Sequence, residues 1–348
     1  MNTGADTKRL QSLMQQTKPK NTRAALAGLV LASLLLAHTT APTTTYAADT
    51  GQVVVTIKPI HALVAGVMKG VAVPKLLISG GGSPHAFAFK PSHARALQKA
   101  RVVFRVSEAL ESFLNRPIEN LARKATIITL DETPGIRLYA ARGGGLWKRH
   151  NHAHENHTQE DNASSNHKDH ESGPYDPHFW LDPVNAQKLI GHIATHLSAT
   201  FPAHAGVFSD NAAHLERQLT KLDKELKAAT APLQGKPYIV LHDAYRYFEE
   251  RYSLRPSGAI TVSPERLPGA RRLSAIRERI TDAQAICVFA EPQFEPKLVL
   301  TLIEGTNARR GVLDPLGAEL TPGAGLYFAL MRNLAAGLSN CLAPRTQN

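Results

Sequence analysis

Two cysteines among 348 residues, Cys287 and Cys341, are too few and too far apart to suggest a thiolate zinc site, which needs pairs at metal-ligand spacing. The apolar run at 24–37 is fourteen residues, too short to span a bilayer comfortably, and no cysteine follows it to accept a lipid. The chain carries +11 formal charge but lacks a Lys/Arg block beyond its N-terminus and has little aromatic interleaving, so a nucleic-acid footprint is not indicated. The three glycines at 80–82 lack the GxxxxGK[ST] and GxGxxG spacings of a phosphate cradle. His192 and His196 have the i, i+4 spacing of a zincin helix, yet Ile-Ala-Thr lies between them and the Glu of HExxH is missing, so they read as surface histidines.

What is present begins with a basic N-terminus (Lys8, Arg9, Lys18, Lys20, Arg23), then the apolar run, then a small polar stretch ending Ala47-Ala48. Residues 1–48 read as a secretory signal peptide. Its removal takes five basic residues and one acidic residue, lowering the formal charge from +11 to +7. The mature chain is expected to be exported and unanchored, and an even pair of cysteines in an exported chain is expected to be oxidised. Some 300 mature residues exceed one usual hydrophobic core, which favours two domains.

Between 150 and 170 the chain places six of its sixteen histidines (His150, His152, His154, His157, His167, His170) among polar and charged residues, a metal-collecting composition. A seventh, His178, sits in Gly173-Pro174-Tyr175-Asp176-Pro177-His178-Phe179-Trp180-Leu181-Asp182-Pro183, where prolines and aromatics stiffen the chain. That stiffness suits a fixed ligand, and neutral imidazole is a common ligand for first-row metals.

Strand and helix signals alternate through both halves. Strands are predicted at 52–57, 73–78, 101–106 and 125–130, with helices from Pro59, from Pro91 and over 108–124. After a helix from Pro183 through Phe201, strands recur at 238–241, 258–262, 285–290 and 311–313, with helices at 244–251, 268–281, 295–304 and 324–338. Such alternation implies an α/β fold with mainly parallel sheets flanked by helices. Leu215, Leu219, Leu222 and Leu226 repeat at helical spacing, so 205–231 is predicted as one long helix, about 40 Å and able to join two lobes as a strut. The expected organisation is an N-terminal lobe at 49–204, the linking helix at 205–231 and a C-terminal lobe at 232–348. His85, His242 and Asp314 fall at carboxyl ends of predicted strands, where open α/β sheets bind ligands, and they can face His178 across a cleft between the lobes.

These residues resemble the periplasmic zinc-binding proteins of ABC importers, of the ZnuA type, within the metal-specific solute-binding proteins. The matching stretches are Thr56-Ile57-Lys58-Pro59, Ser83-Pro84-His85 with Lys90-Pro91-Ser92, Asp176 through Pro183, His242-Asp243-Ala244-Tyr245-Arg246-Tyr247-Phe248, Cys287 through Phe294, and Leu313-Asp314-Pro315-Leu316-Gly317. The resemblance implies three zinc ligands, His85, His178 and His242, with Asp314 as a fourth, a Cys287–Cys341 disulfide, and the six tract histidines as a secondary, weaker metal loop. It further implies a monomeric carrier of Zn2+ that passes its ion to an inner-membrane ABC permease with a cytoplasmic ATPase. Two departures stand out: Pro84 replaces an acidic residue found before the first ligand in some members, and His93 replaces an Asp after the Pro-Ser pair, leaving a loop hydrogen bond open. Three imidazoles point to zinc over manganese or iron, which favour oxygen ligands, while cobalt and nickel also suit such a site. A secreted zinc hydrolase is the rival of a different class, but no positioned Glu near the three histidines serves as a base. A surface adhesin requires an anchor that the sequence lacks.

Overall fold

The computed structural model describes residues 52–143, 175–261 and 269–344. The predicted signal peptide and the His-rich tract lie outside these residues. In the first lobe β1 (Gln52–Val55), β2 (Lys75–Leu76), β3 (Ala100–Arg105) and β4 (Thr126–Thr129) form a parallel sheet in the order β2-β1-β3-β4. The second lobe repeats the plan with β5 (Tyr238–His242), β6 (Gly258–Thr261), β7 (Cys287–Ala290) and β8 (Arg309–Val312), ordered β6-β5-β7-β8, again all parallel. Parallel strands need crossover helices on their faces, and β5 and β7 are correspondingly buried along their whole length.

Helices α1 (Lys58–Val67), α2 (Pro91–Gln98) and α3 (Asn115–Leu121) serve the first sheet, and α4 (Pro183–Thr200) and α5 (Ala205–Thr230) follow. The second lobe adds α6 (Arg246–Tyr252), α7 (Ala270–Asp282), α8 (Lys297–Ile303) and α9 (Leu326–Leu342). Proline stands first in α2 and α4 and second in α1, where its missing N–H costs no intrahelical bond, and the Asp182 carboxylate caps α4 by accepting from the Val184 amide at 2.9 Å. The helix predicted over 108–124 is much shorter. Pro117 is tolerated only in a first turn, so α3 begins at Asn115, after a 3-10 turn at Ser112–Leu114.

The predicted long helix is present as α5, whose Phe208, Ala212, Leu215, Leu219, Leu222 and Leu226 are buried at the expected spacing. It packs on α1 and α4 of the first lobe and on α9 of the second. Gly66 permits the approach to α1, because a Cβ there would stand 2.8 Å from Leu215. Buried apolar residues form one contiguous core through both lobes, and a smaller cluster around Ile239, Ile260, Ile276 and Val288 lies across the second sheet. Cys287 of β7 and Cys341 of α9 form a disulfide with Cα atoms 6.1 Å apart. No helix among the described residues is long and apolar enough to cross a membrane.

Candidate metal site

Two segments at carboxyl ends of strands and a third leading into α4 converge. His85 follows β2 in a turn where its amide donates to Ser83 Oγ at 3.2 Å. His178 follows Pro177, and both its amide (3.0 Å) and its ring Nδ1 (2.7 Å) are bonded to Oδ1 of Asp176. Its ring stands edge-on to Trp180, with centroids 5.2 Å apart. His242 ends β5, and its Nδ1 lies 3.1 and 3.2 Å from the two oxygens of Glu291, the residue that follows β7 next door.

The three rings lie 4.9 to 5.5 Å apart by centroid, and each brings one nitrogen within 4.8 Å of the others. His85 Nε2 and His178 Nε2 are 3.4 Å apart. Zinc–nitrogen bonds of 2.0 to 2.1 Å in a tetrahedron place neighbouring ligand nitrogens about 3.3 to 3.4 Å apart, so this pair already stands at a coordination edge. His242 Nε2 is buried and has no hydrogen-bond partner, a costly condition unless something else binds its lone pair. The cavity among these residues, about 10 Å³ and lined also by Pro84, Glu291, Gln293, Phe294, Pro315 and Leu316, suits an ion or a single water.

Electrostatics complete the set. Burial holds the His85 and His178 imidazoles well below the ordinary histidine value, with the neighbouring histidines adding to the effect. Burial also acts to lower His242, but the charge and hydrogen bond of Glu291, aided by Asp243 and Asp176, outweigh it and raise the imidazole. Two neutral rings are thus ready to offer lone pairs. Asp176 and Glu291 sit on the Nδ1 side of their histidines, which orients Nε2 toward the cavity in the carboxylate–histidine–metal manner.

Of the residues singled out by sequence, His85, His178 and His242 come together. Among the described residues they are the group that could share an ion. Asp314 is not a member: Oδ1 accepts from Gln293 Nε2 (2.7 Å) and from the amides of Leu316 and Gly317 (3.0 and 2.9 Å), and Oδ2 from the amide of Ala318 (2.6 Å). His192 and His196 pair with each other on α4, centroids 4.4 Å apart, outside the cluster. His93 supplies the bond that the missing Asp left open, since its Nδ1 accepts from the Lys90 amide at 3.0 Å. The six tract histidines are not among the described residues, but the ends of that segment are. Ala140 and Tyr175 form an antiparallel bridge, and Arg142 spans to Asp243 (3.0 Å) and Glu249 (2.8 Å) of the second lobe. Burial pushes those two carboxyls up, to about 6 for Asp243 and about 7 for Glu249.

Sequence reasoning quoted Asp176 and Glu291 within motifs but assigned them no role. Their positions, two residues before a ligand and one residue after a central strand, carried the only signal, and the hydrogen bonds required the fold.

The chain is similar to proteins of known family. Residues 53–341 match the family model described as zinc-uptake complex component A, periplasmic. The chain is 43% identical over 305 residues to the high-affinity zinc uptake system protein ZnuA of Brucella suis, covering 84% of this chain and 91% of that one. It is 34% identical over 298 residues to the protein of the same name from Yersinia pestis, covering 83% and 91%. A ZnuA deletion mutant crystallised with zinc superposes with a TM-score of 0.68 at 20% identity, over 85% of this chain and all of that one, which shows a shared fold.

Proposed function

The chain belongs to the family of periplasmic zinc-uptake components A, and from that membership we propose that it captures zinc in the periplasm and delivers it to the permease of an ABC importer. His85, His178 and His242 hold the ion. The observation that carries this reading is the buried, unpartnered Nε2 of His242 facing two further imidazoles, one pair of nitrogens already 3.4 Å apart. A Lewis acid can bind all three nitrogens at once in this space, which otherwise admits a single water.

An all-nitrogen set favours zinc over manganese or iron, because the two nearest carboxylates, Asp176 and Glu291, are spent on Nδ1 atoms. The fourth position falls to water, with Asp314 acting through the turn it organises; drawing its carboxylate onto the metal would sacrifice four accepted hydrogen bonds. Contrary to the sequence expectation a Glu does stand beside the three histidines, but Glu291 is held on His242 Nδ1, and a cavity of about 10 Å³ is too small for an organic substrate beside the ion, which disfavours a hydrolase.

Residues 1–48 direct export and are removed, leaving an unanchored monomer made of lobes at 49–204 and 232–348 with 205–231 between them. The tract histidines form a weaker, exchange-prone site that concentrates zinc near the cleft. The reading is tested by native mass spectrometry and chelator competition on the mature protein. His85→Ala, His178→Ala and His242→Ala are each expected to lose tight zinc binding, whereas His192→Ala retains it. Equal losses in all four variants would overturn the assignment.

A further inference from the structure

Lys58 opens α1 in the first lobe, yet it is only 5% exposed. Burying an ammonium is costly unless each of its three N–H donors finds an acceptor. All three donors are met, and all by one turn of the other lobe: the carbonyls of Gly317 (3.2 Å), Ala318 (2.5 Å) and Leu320 (3.1 Å). The same turn is held from its other side by Asp314, which accepts from the amides of Leu316, Gly317 and Ala318. Its amides therefore face a carboxylate and its carbonyls face an ammonium. Gly317 lies in the left-handed region at φ +69°, and a Cβ there would stand 3.1 Å from Leu320, so the tight shape of the turn is built in.

This turn is a wall of the metal cavity. Pro315 and Leu316 line it together with the three histidines. Trp180, whose ring packs on His178, donates Nε1–H to the Pro315 carbonyl at 3.0 Å, so the turn is tied to the first lobe twice, once beside the ligand and once through Lys58.

We propose that Lys58 is a positioning residue that clasps the turn at 314–320 over the metal cavity from the opposite lobe and thereby sets how long the metal stays. The proposal rests on the reading that His85, His178 and His242 hold the ion. Lys58 touches no ligand atom. Its bonds to the turn exist only while the turn lies against α1, and when the turn lifts both the ammonium and the carbonyls return to water. Losing the clasp therefore speeds lifting of the turn more than it slows entry.

The test uses the mature protein loaded with zinc and mixed rapidly with excess chelator. Lys58→Met keeps much of the apolar stem and removes the donors; release is expected to quicken by about tenfold or more, the range seen when outer-shell partners of a metal site are lost. Association is expected to stay within about twofold, since related variants differ mostly in dissociation. Lys58→Arg, whose planar fork cannot aim three donors at these carbonyls, should fall between the two. Combined with Asp314→Asn, Lys58→Met should add little, because both changes loosen one turn; effects that multiply would overturn the shared-turn mechanism. Release at the wild-type rate in both Lys58 variants would overturn the proposal. A melting temperature that falls in the metal-free Lys58→Met protein without faster release would do the same. Failure of the wild-type protein to bind zinc tightly would instead overturn the underlying metal reading.

Discussion

At the scale of single residues, the site is defined by what stands behind the ligands. Asp176 and Glu291 each occupy the Nδ1 side of a histidine, which settles the direction of the Nε2 lone pair before any ion arrives. They differ in effect: Glu291 contributes enough charge to raise His242, whereas burial dominates at His178 and lowers it. A proton and a metal compete for the same Nε2. As pH falls, His242 protonates first, so zinc affinity should begin to drop above the ordinary histidine value near ~6.5, while His85 and His178 stay neutral into more acidic solution. Glu291→Gln removes the raising charge. Affinity at neutral pH should weaken by about 10- to 100-fold, and the onset of the pH-dependent loss should move to lower pH. Chelator-competition titrations across the histidine range check this, and an unmoved onset would refute the role given to Glu291.

At the scale of elements, two features fix the second lobe to the rest. Helix α5 buries a leucine stripe against helices of both lobes, so the lobes share apolar surface and are not merely tethered. The Cys287–Cys341 disulfide fastens α9, which also packs on α5 and α1, to the central strand β7. It closes a loop of 54 residues. In the chain-entropy account such a closure is worth roughly 4 kcal/mol, acting on the unfolded chain. Cys287→Ala with Cys341→Ala should therefore lower the thermal midpoint by several degrees, with zinc stoichiometry unchanged because neither sulfur is near the site. Two titratable thiols in the native, air-purified wild-type protein would contradict the bridge.

At the scale of the molecule, the candidate metal cavity lies between the lobes, with His85 and His178 on one side and His242, Glu291, Pro315 and Leu316 on the other. The lobes are linked around it by polar bolts: Lys58 to the turn at 314–320, Trp180 to Pro315, Tyr327 to the Trp180 carbonyl at 2.7 Å, and Arg142 to Asp243 and Glu249. The last of these sits at the neck of the segment that carries the six tract histidines. Deleting 151–171 spares both Arg142 and Tyr175. The tight site should survive, and total zinc per molecule should fall, as read by native mass spectrometry. Loss of the tight site in that deletion would show that the tract supplies a primary ligand, at a cost of roughly 1 to 2 kcal/mol for each residue it must order.

The alternation of β-rich runs with amphipathic stretches was enough to determine two parallel α/β halves and a long joining helix, because hydrophobic period and proline placement act locally. The same reading singled out His85 and His242 at predicted strand ends and His178 in a proline-stiffened motif, and the fold brings these three together. Helix α3 is shorter than the pattern over 108–124 predicts, because Pro117 is tolerated only in a first turn. What the tertiary structure alone decided is how these residues are used. Lys58, Trp180 and Glu291 depend on partners tens to hundreds of residues away, and hydrogen bonds across such separations leave no periodicity to read. The carboxylate best placed by strand logic to complete the metal sphere is instead held by three backbone amides and a glutamine. Three of those bonds are local, to amides two to four residues beyond Asp314, whereas the glutamine and the Lys58 ammonium that meet the same turn are brought to it only by the tertiary fold.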